Sequence, residues 1–329
     1  MPEPTLPLHE RDLENALPLW PELAGAEPRL INYSENHTFL LSVPGGEAFT
    51  LRVHRPDYQS TANIESELAW LESLHRQTDL AIPEPVAGGD GKLLQCFQTP
   101  SGETRHAVLY HFIPGQEPSP DSNLVDLFAV LGGYAAGLHR HSIAWKRPLG
   151  FERQAWTAAT ILDADGLWGD WRVAPGVTGG IHPVLDLAQL ELRRRLDAYG
   201  TGPDRYGLIH ADMRLGNLLV HGDQVSLIDF DDCGLCWFGY DFAAAISFHE
   251  TNKAVPALKA SWLEAYQAVR PLSEDDIAIL DSMVMLRRMA LLAWIGSHAE
   301  TTLAQSHMTG FAEGTADLAE RYLRGGIWR

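Results

Sequence analysis

Cysteine is scarce in this chain, and its three residues, Cys96, Cys233 and Cys236, are an odd number too small for a disulfide framework. Cys233-Gly-Leu-Cys236 has the spacing of a metal or redox motif. No second ligand pair accompanies it for zinc, however, and no strand-to-helix start frames it for thiol exchange. It is read as coincidental spacing, with redox sensitivity as the alternative. Positive charge is scarce too. Lys and Arg number 25 against 43 Asp and Glu, a net charge of −18. That excludes partners bound by neutralising their phosphates, nucleic acid and anionic membrane surfaces above all. Residues 1–107 and 108–329 each carry nine more acids than bases, so the acidity by itself marks no pocket for a cationic substrate. No apolar run reaches the roughly 18 residues that span a bilayer. Met1 to Glu10 is acidic and proline-rich, where a secretory leader is basic and then apolar. The expectation is a cytoplasmic protein. What remains is an ordinary globular composition, 45% hydrophobic and 21% charged, in 329 residues, enough for one large or two modest domains.

One stretch stands out, Leu208 to Asp232: Leu-Ile-His-Ala-Asp-Met-Arg-Leu-Gly-Asn-Leu-Leu-Val-His-Gly-Asp-Gln-Val-Ser-Leu-Ile-Asp-Phe-Asp-Asp. Apolar runs Leu218 to Val220 and Val225 to Ile228 flank a polar Gly222-Asp223 tip, the pattern of a tight antiparallel hairpin. With 220 paired near 225, Asn217 falls opposite Ile228 or Asp229 at the open end. An amide oxygen and a carboxylate converge there. Oxygen donors of this kind, completed by water and phosphate, suit Mg²⁺. Asp212 lies five positions before Asn217, on a loop that turns back to the same hairpin mouth, placed to accept a proton from a substrate hydroxyl. His210-x-Asp212-x-x-x-x-Asn217, followed by a strand-end Asp229, has the catalytic-loop and metal-aspartate spacing of kinases. Any one of these groups alone would be a turn former or helix cap. The coordinated spacing argues for phosphoryl transfer.

Together with Tyr33-Ser34-Glu35-Asn36, Leu51-Arg52-Val53-His54-Arg55-Pro56 and Tyr240-Asp241-Phe242-Ala243, this stretch makes the chain resemble the aminoglycoside phosphotransferase and choline kinase-like branch of the protein-kinase fold. The nearest look-alikes are its homoserine-kinase and bacterial stress-response-kinase members. The resemblance implies an α+β, protein-kinase-like two-lobed fold. Residues 1–111 would form a nucleotide-binding lobe, a five-stranded antiparallel sheet with one helix. Residues 112–329 would form a mainly helical catalytic and substrate lobe carrying the catalytic hairpin, with ATP between the two. It also implies ATP and Mg²⁺ as cofactors, Asp212 as base, and Asn217 and Asp229 as metal ligands. The acidic balance does not oppose ATP, because Mg²⁺ supplies positive charge.

The strand-like period begins at Arg29. Arg29 to Tyr33, His37 to Val43 and Glu47 to Val53 read as a three-stranded meander. Its first connection corresponds to the family's loop over the ATP phosphates but is not glycine-rich, so Ser34 and Asn36 would have to present donors there; an ordinary Asn-containing turn is the other reading. Arg52 stands where the family usually has Lys. It grips phosphate bidentately but needs more room, so the swap is not neutral; the alternative is a solvated edge-strand residue. Ser60 to about Arg76 reads as a helix with Ile64, Leu68, Leu71 and Leu74 on one stripe. Glu67 falls inside that stripe. A buried carboxylate is costly without a partner, and the family's helix-to-strand ion pair supplies one in Arg52; a Glu67 that snorkels to water is the other reading. Leu93 to Gln98 and Arg105 to His111 complete the sheet, and Ile113-Pro114-Gly115 marks the hinge. The resemblance offers backbone groups at Leu109 to His111 to the adenine.

Beyond the hinge the chain reads as helical. Leu124 to Arg140 is amphipathic, and His139 and His141 at its end point in different directions, which argues against a metal pair. Residues 146–182 are rich in Trp, Gly and Pro, an irregular insertion that either bears on substrate choice or covers the core. Leu185 to Tyr199 is helical. Asp241 opens a helix, Phe242 to Glu250, as its cap; the family adds that this acid holds the catalytic loop. Arg214 either meets the transferring phosphoryl group or pairs with Asp231 or Asp232. Pro256 to Val269, Glu274 to Ser297 and Gly310 to Arg324 are further helices, and Arg287-Arg288, inside the apolar second one, must find acids, with the catalytic region the place to look. Three functions stay open: a small-molecule kinase acting on an amino-alcohol, amino acid or sugar hydroxyl, a Ser/Thr protein kinase of the stress-response type, and a non-catalytic nucleotide-binding protein.

Overall fold

Alternating apolar residues build the meander: β1 (Glu27–Tyr33), β2 (His37–Ser42) and β3 (Ala48–Val53) pair antiparallel in sequence order. The computed structural model describes residues 8–33, 36–56, 58–119 and 121–328. They divide into two units. The first comprises Met1–Gln116, Arg147–Arg153 and Leu219–Asp231, and the second Glu117–Lys146, Gln154–Leu218 and Asp232–Arg329.

In the first unit, helix α1 (Thr61–Gln77) follows β3. Ser60 caps it by accepting the Asn63 N–H at 3.1 Å, a bond of the kind worth about 1 kcal/mol. Then come β4 (Pro85–Val86), β5 (Leu94–Gln98) and β6 (Thr104–His111). The sheet order is β1-β2-β3-β6-β4, with β5 on the other half of β6's outer edge. The five expected strands are all present. The sixth, β4, is a two-residue pair with Tyr110 and Leu109, too short to show a period. Phe39, Leu41, Phe49, Leu51, Val53 and Leu109 form the core with Leu13 and Trp20 from the turns before β1. Gly115 is required where it stands. At φ +149° a Cβ would come within 3.0 Å of Leu219 and 3.1 Å of the Val220 backbone, which Gln116 bridges.

In the second unit, α2 (Leu124–Ala144) packs on α6 (Val255–Val269) so closely that a Cβ on Gly132 would lie 2.2 Å from the Trp262 carbonyl. The expected irregular insertion contains α3 (Ala158–Leu162) and a 3₁₀ turn, Trp171–Val173, before α4 (His182–Tyr199). β7 (Tyr206–Ile209) pairs antiparallel with β10 (Gly234–Trp237). Between them in sequence lies the expected hairpin, β8 (Leu218–His221) with β9 (Gln224–Leu227), which from Leu219 onward belongs to the first unit. The helix expected at 242–250 is shorter and earlier: α5 spans Tyr240–Ala245 with Gly239 as its N-cap, so Asp241 lies inside it. Phe248, at φ +69°, cannot continue a right-handed helix. The helix expected at 274–297 is two, α7 (Glu274–Ala278) and α8 (Leu280–Ser297). After them come α9 (Thr302–Met308), which the sequence did not suggest, and α10 (Phe311–Leu323). Nearly every residue of α8 is buried, which makes it a central helix. No helix among the described residues is long and apolar enough to cross a membrane.

Candidate active site

The first unit holds one cluster of charge. Arg52 on β3 and Glu67 on α1 are joined at 2.7 Å, and their side chains are 9% and 1% exposed. The pair exists because β3 and α1 each place one charge on an otherwise apolar face. Arg52 also stacks 5.4 Å from the Tyr110 ring centre and reaches Asp229 at 3.9 Å, so one guanidinium spans the helix acid and the strand-end acid. Burial pushes the Glu67 carboxyl up, against the opposing pull of Arg52.

The segment after β9 is held from several sides within this unit. Phe230 meets the Trp70 ring edge-on at 5.6 Å, Gln59 Nε2 donates to the Asp231 carbonyl at 3.2 Å, and Arg153 donates to the same carbonyl and to Asn63 O at 3.1 Å. Asn36 Nδ2 donates to Asp231 Oδ2 at 3.0 Å while its Oδ1 accepts the Arg55 N–H at 3.2 Å. This corrects one expectation. The Asn36 side chain is turned into the protein and fixes the turn, because a buried carboxylate and a strand-end N–H claim it. Ser34 lies outside the described residues. Leu109 needs a similar correction, since its backbone is enclosed by the ladders to Leu51 and Val86. The His111 N–H donates to the Glu84 carbonyl at 3.0 Å. Glu84 and β4 thus take up the His111 N–H and the Leu109 backbone, while no donor among the described residues meets the His111 carbonyl. Asp229 has φ +64°, a conformation that costs a non-glycine residue on the order of 1–3 kcal/mol.

The second unit holds Asp212, the carboxylate expected to act as base. Asp212 Oδ2 accepts from Asn217 Nδ2 at 2.6 Å and from Arg214 Nε at 3.3 Å, while Oδ1 is bound by Arg287 from α8. Asn217 Nδ2 also donates to the Asp212 carbonyl at 2.8 Å. Both amide hydrogens are spent on Asp212, and Asn217 therefore offers only its oxygen to a ligand. Burial pushes the Asp212 carboxyl up, but Arg287, Arg214 and His210 pull the other way and leave it below its ordinary value. Arg214 pairs with Asp212 instead of Asp231 or Asp232. Its guanidinium lies over Gly216, where a Cβ would meet Nη1 at 2.2 Å.

Under this loop sits Asp241. Its Oδ1 accepts the Ala211 N–H at 2.7 Å, its Oδ2 accepts the His210 N–H at 3.3 Å, and His139 Nε2 lies 3.0 Å from Oδ2. His139 Nδ1 meets the Tyr266 hydroxyl at 2.8 Å. The sequence marks His139 for this role only as a histidine on the buried stripe of α2. Arg288 finds Glu250 at 2.7 Å. Cys233 and Cys236 are buried and in no disulfide, and burial pushes the Cys236 thiol well up. No group of three or more His, Cys, Asp or Glu among the described residues forms a metal site. Each taken by itself, the Asn217 amide oxygen and the Asp229 carboxylate are hard oxygen donors of the kind a hard cation takes.

Residues 29–272 match the phosphotransferase enzyme family, APH. The chain is 42% identical to the microcompartment-associated aminopropanol kinase, whose solved structure superposes with a TM-score of 0.87 over 95% of this chain and 97% of that one. It is 27% identical over 286 residues to a homoserine kinase of Gluconobacter oxydans, 82% of this chain and 83% of that protein. An amicoumacin kinase solved with AMP-PNP and Ca²⁺ shares the fold, with 20% identity and a TM-score of 0.72 over 95% of this chain and 92% of that one.

Proposed function

Because the chain belongs to the phosphotransferase enzyme family, we propose that the hydroxyl it phosphorylates is that of a small amino alcohol, with aminopropanol as the leading candidate. It is an ATP-dependent phosphotransferase acting on a small-molecule hydroxyl. The observation that carries the acceptor is the 42% identity, over 95% of the chain, with an aminopropanol kinase. Similarity to homoserine kinases favours a second reading, homoserine, which is an amino alcohol bearing a carboxylate.

Asp212 orients the acceptor and takes its hydroxyl proton on an Oδ2 lone pair as the oxygen bonds to the γ-phosphorus and the bond to ADP breaks. Arg52, positioned by Glu67, grips the nucleotide phosphates. Residues 1–111 serve as the nucleotide lobe and 112–329 as the catalytic and substrate lobe. Of the backbone near the hinge, the Ile113 N–H has no partner among the described residues and is the donor assigned to adenine, beside the His111 carbonyl as acceptor and in place of Leu109. Asn217 Oδ1 and the Asp229 carboxylate, on either side of the β8–β9 hairpin, are the residues that would hold Mg²⁺, which neutralises phosphate charge. Arg214 is the cation for the transferring phosphoryl group. Most of the rate enhancement comes from positioning and charge.

The test incubates γ-labelled ATP and Mg²⁺ with aminopropanol, ethanolamine, homoserine, or a cell-protein fraction. Label on aminopropanol at the highest kcat/KM, lost in Asp212→Ala, supports the reading. Preference for homoserine installs the second reading. Asp212-dependent label on protein overturns both, in favour of a protein kinase.

A further inference from the structure

Arg287 is 3% exposed, on a helix whose neighbours Met285, Leu286, Met289 and Ala290 are all apolar and buried. An apolar side chain of similar volume is often at least as stable in such a place as a buried ion pair, so the guanidinium calls for another explanation. Every nitrogen of it is assigned. Nε donates to Ser247 Oγ at 3.0 Å, Nη1 to the Ala211 carbonyl at 3.3 Å, and Nη2 to Asp212 Oδ1. The rings of Trp168 and Tyr240 lie 5.2 and 5.8 Å from its central carbon and restrict its rotation.

The two terminal nitrogens therefore hold two adjacent things at once, the Ala211 carbonyl and the Asp212 carboxylate. Ala211 is in the left-handed region, at φ +67°, and Asp241 holds its N–H. Arg287 closes the other end of the same residue. The second cation on Asp212 differs: the Arg214 side chain is 27% exposed and makes the longer bond, 3.3 Å to Oδ2.

We infer that Arg287 is a positioning residue for phosphoryl transfer, which locks Asp212 through Oδ1 and the Ala211 carbonyl so that Oδ2 is the oxygen presented to the acceptor hydroxyl. Arg214 is the exchangeable partner that yields Oδ2 when the acceptor arrives. This rests on the reading of Asp212 as the proton acceptor, and the two fail separately. Turnover that survives in Asp212→Asn removes the reading. An inactive Asp212→Asn beside an unimpaired Arg287→Ala removes only the inference.

The experiment measures kcat and KM for ATP, with the panel acceptor that takes the most label, in wild type, Arg287→Ala, Arg287→Lys and Ser247→Ala. Arg287→Ala is expected to lose about 10²-fold in kcat, the scale of a 1 Å misplacement, with KM for ATP within about twofold. Methylguanidinium should restore part of that kcat, because it can refill the vacated fork, whereas urea should not. Arg287→Lys should fall between the two, since one ammonium cannot hold both acceptors. Ser247→Ala keeps every charge and frees one nitrogen, and about a threefold loss in kcat is expected. Unchanged kcat in Arg287→Ala overturns the inference, as does a loss that methylguanidinium leaves untouched. If Arg287→Ala does not fold, Ser247→Ala decides, and unchanged kcat there overturns it.

Discussion

Two of the buried arginine–carboxylate pairs, Arg52–Glu67 in the first unit and Arg287–Asp212 in the second, are built in opposite senses. In the first unit the acid is the buried member: Glu67 is 1% exposed and Arg52 9%. In the second the arginine is: Arg287 is 3% exposed and Asp212 13%. The more exposed member is in each case the group assigned to a substrate, phosphate for Arg52 and the acceptor hydroxyl for Asp212, and the deeper member fixes its direction. Such pairs contribute little net stability after desolvation. What these two supply is orientation, and in each the more exposed partner is the one proposed to face the chemistry.

Neutralising the acid in each pair separates these roles. Asp212→Asn removes the proposed proton acceptor, and kcat is expected to fall by about 10²–10⁴-fold, the usual worth of a general base, while ATP binding measured by calorimetry stays near wild type. Glu67→Gln leaves Arg52 charged, buried and misdirected. KM for ATP should rise by roughly tenfold, about the 1.4 kcal/mol of a charge-assisted bond. Melting should also show a destabilisation of about 3 kcal/mol from the unpaired guanidinium. If Glu67→Gln lowered kcat alone and Asp212→Asn raised KM for ATP alone, the assignment of the two pairs would have to be exchanged.

The parts of this arrangement that sequence made legible are those set by local spacing. The β8–β9 hairpin, the Asp212 to Asn217 interval and the apolar stripe of α1 all rest on periods of a few residues. Glu67 could be found because a carboxylate inside that stripe has to be explained, and the same reasoning applied to Arg287-Arg288 pointed toward acids elsewhere. It could not say that Asp212, 75 positions away, was the partner of Arg287, since only tertiary packing of α8 brings them together. The inward turn of Asn36 depends on Asp231, 195 positions on, and the loss of the Leu109 backbone to a two-residue strand leaves no signal in composition. His139 was visible as a residue but not as a role, because nothing local links it to Asp241.

The two units also treat buried histidine differently, which gives the smallest effect. In the second unit His139 has a carboxylate at 3.0 Å. In the first, His37 has no acid partner among the described residues: Nε2 accepts the Leu8 N–H at 2.9 Å and Nδ1 is buried with no partner among them. Burial, then Arg105 and Arg55, lower its pKa from 6.5 to about 4. Between those values the unfolded chain binds a proton that the folded chain refuses, so this contribution to stability is complete above pH 6.5 and is lost as pH falls toward 4. For one such group the loss between pH 7 and pH 5 is roughly 1–2 kcal/mol. His37→Gln keeps an acceptor for Leu8 without a titrating ring. Urea midpoints at the two pH values should therefore converge in the variant by about that amount. An unchanged gap would assign the acid sensitivity to other groups, and His54, whose ring nitrogens are both buried without partners and whose pKa burial lowers well below 6.5, would be the next side chain to replace.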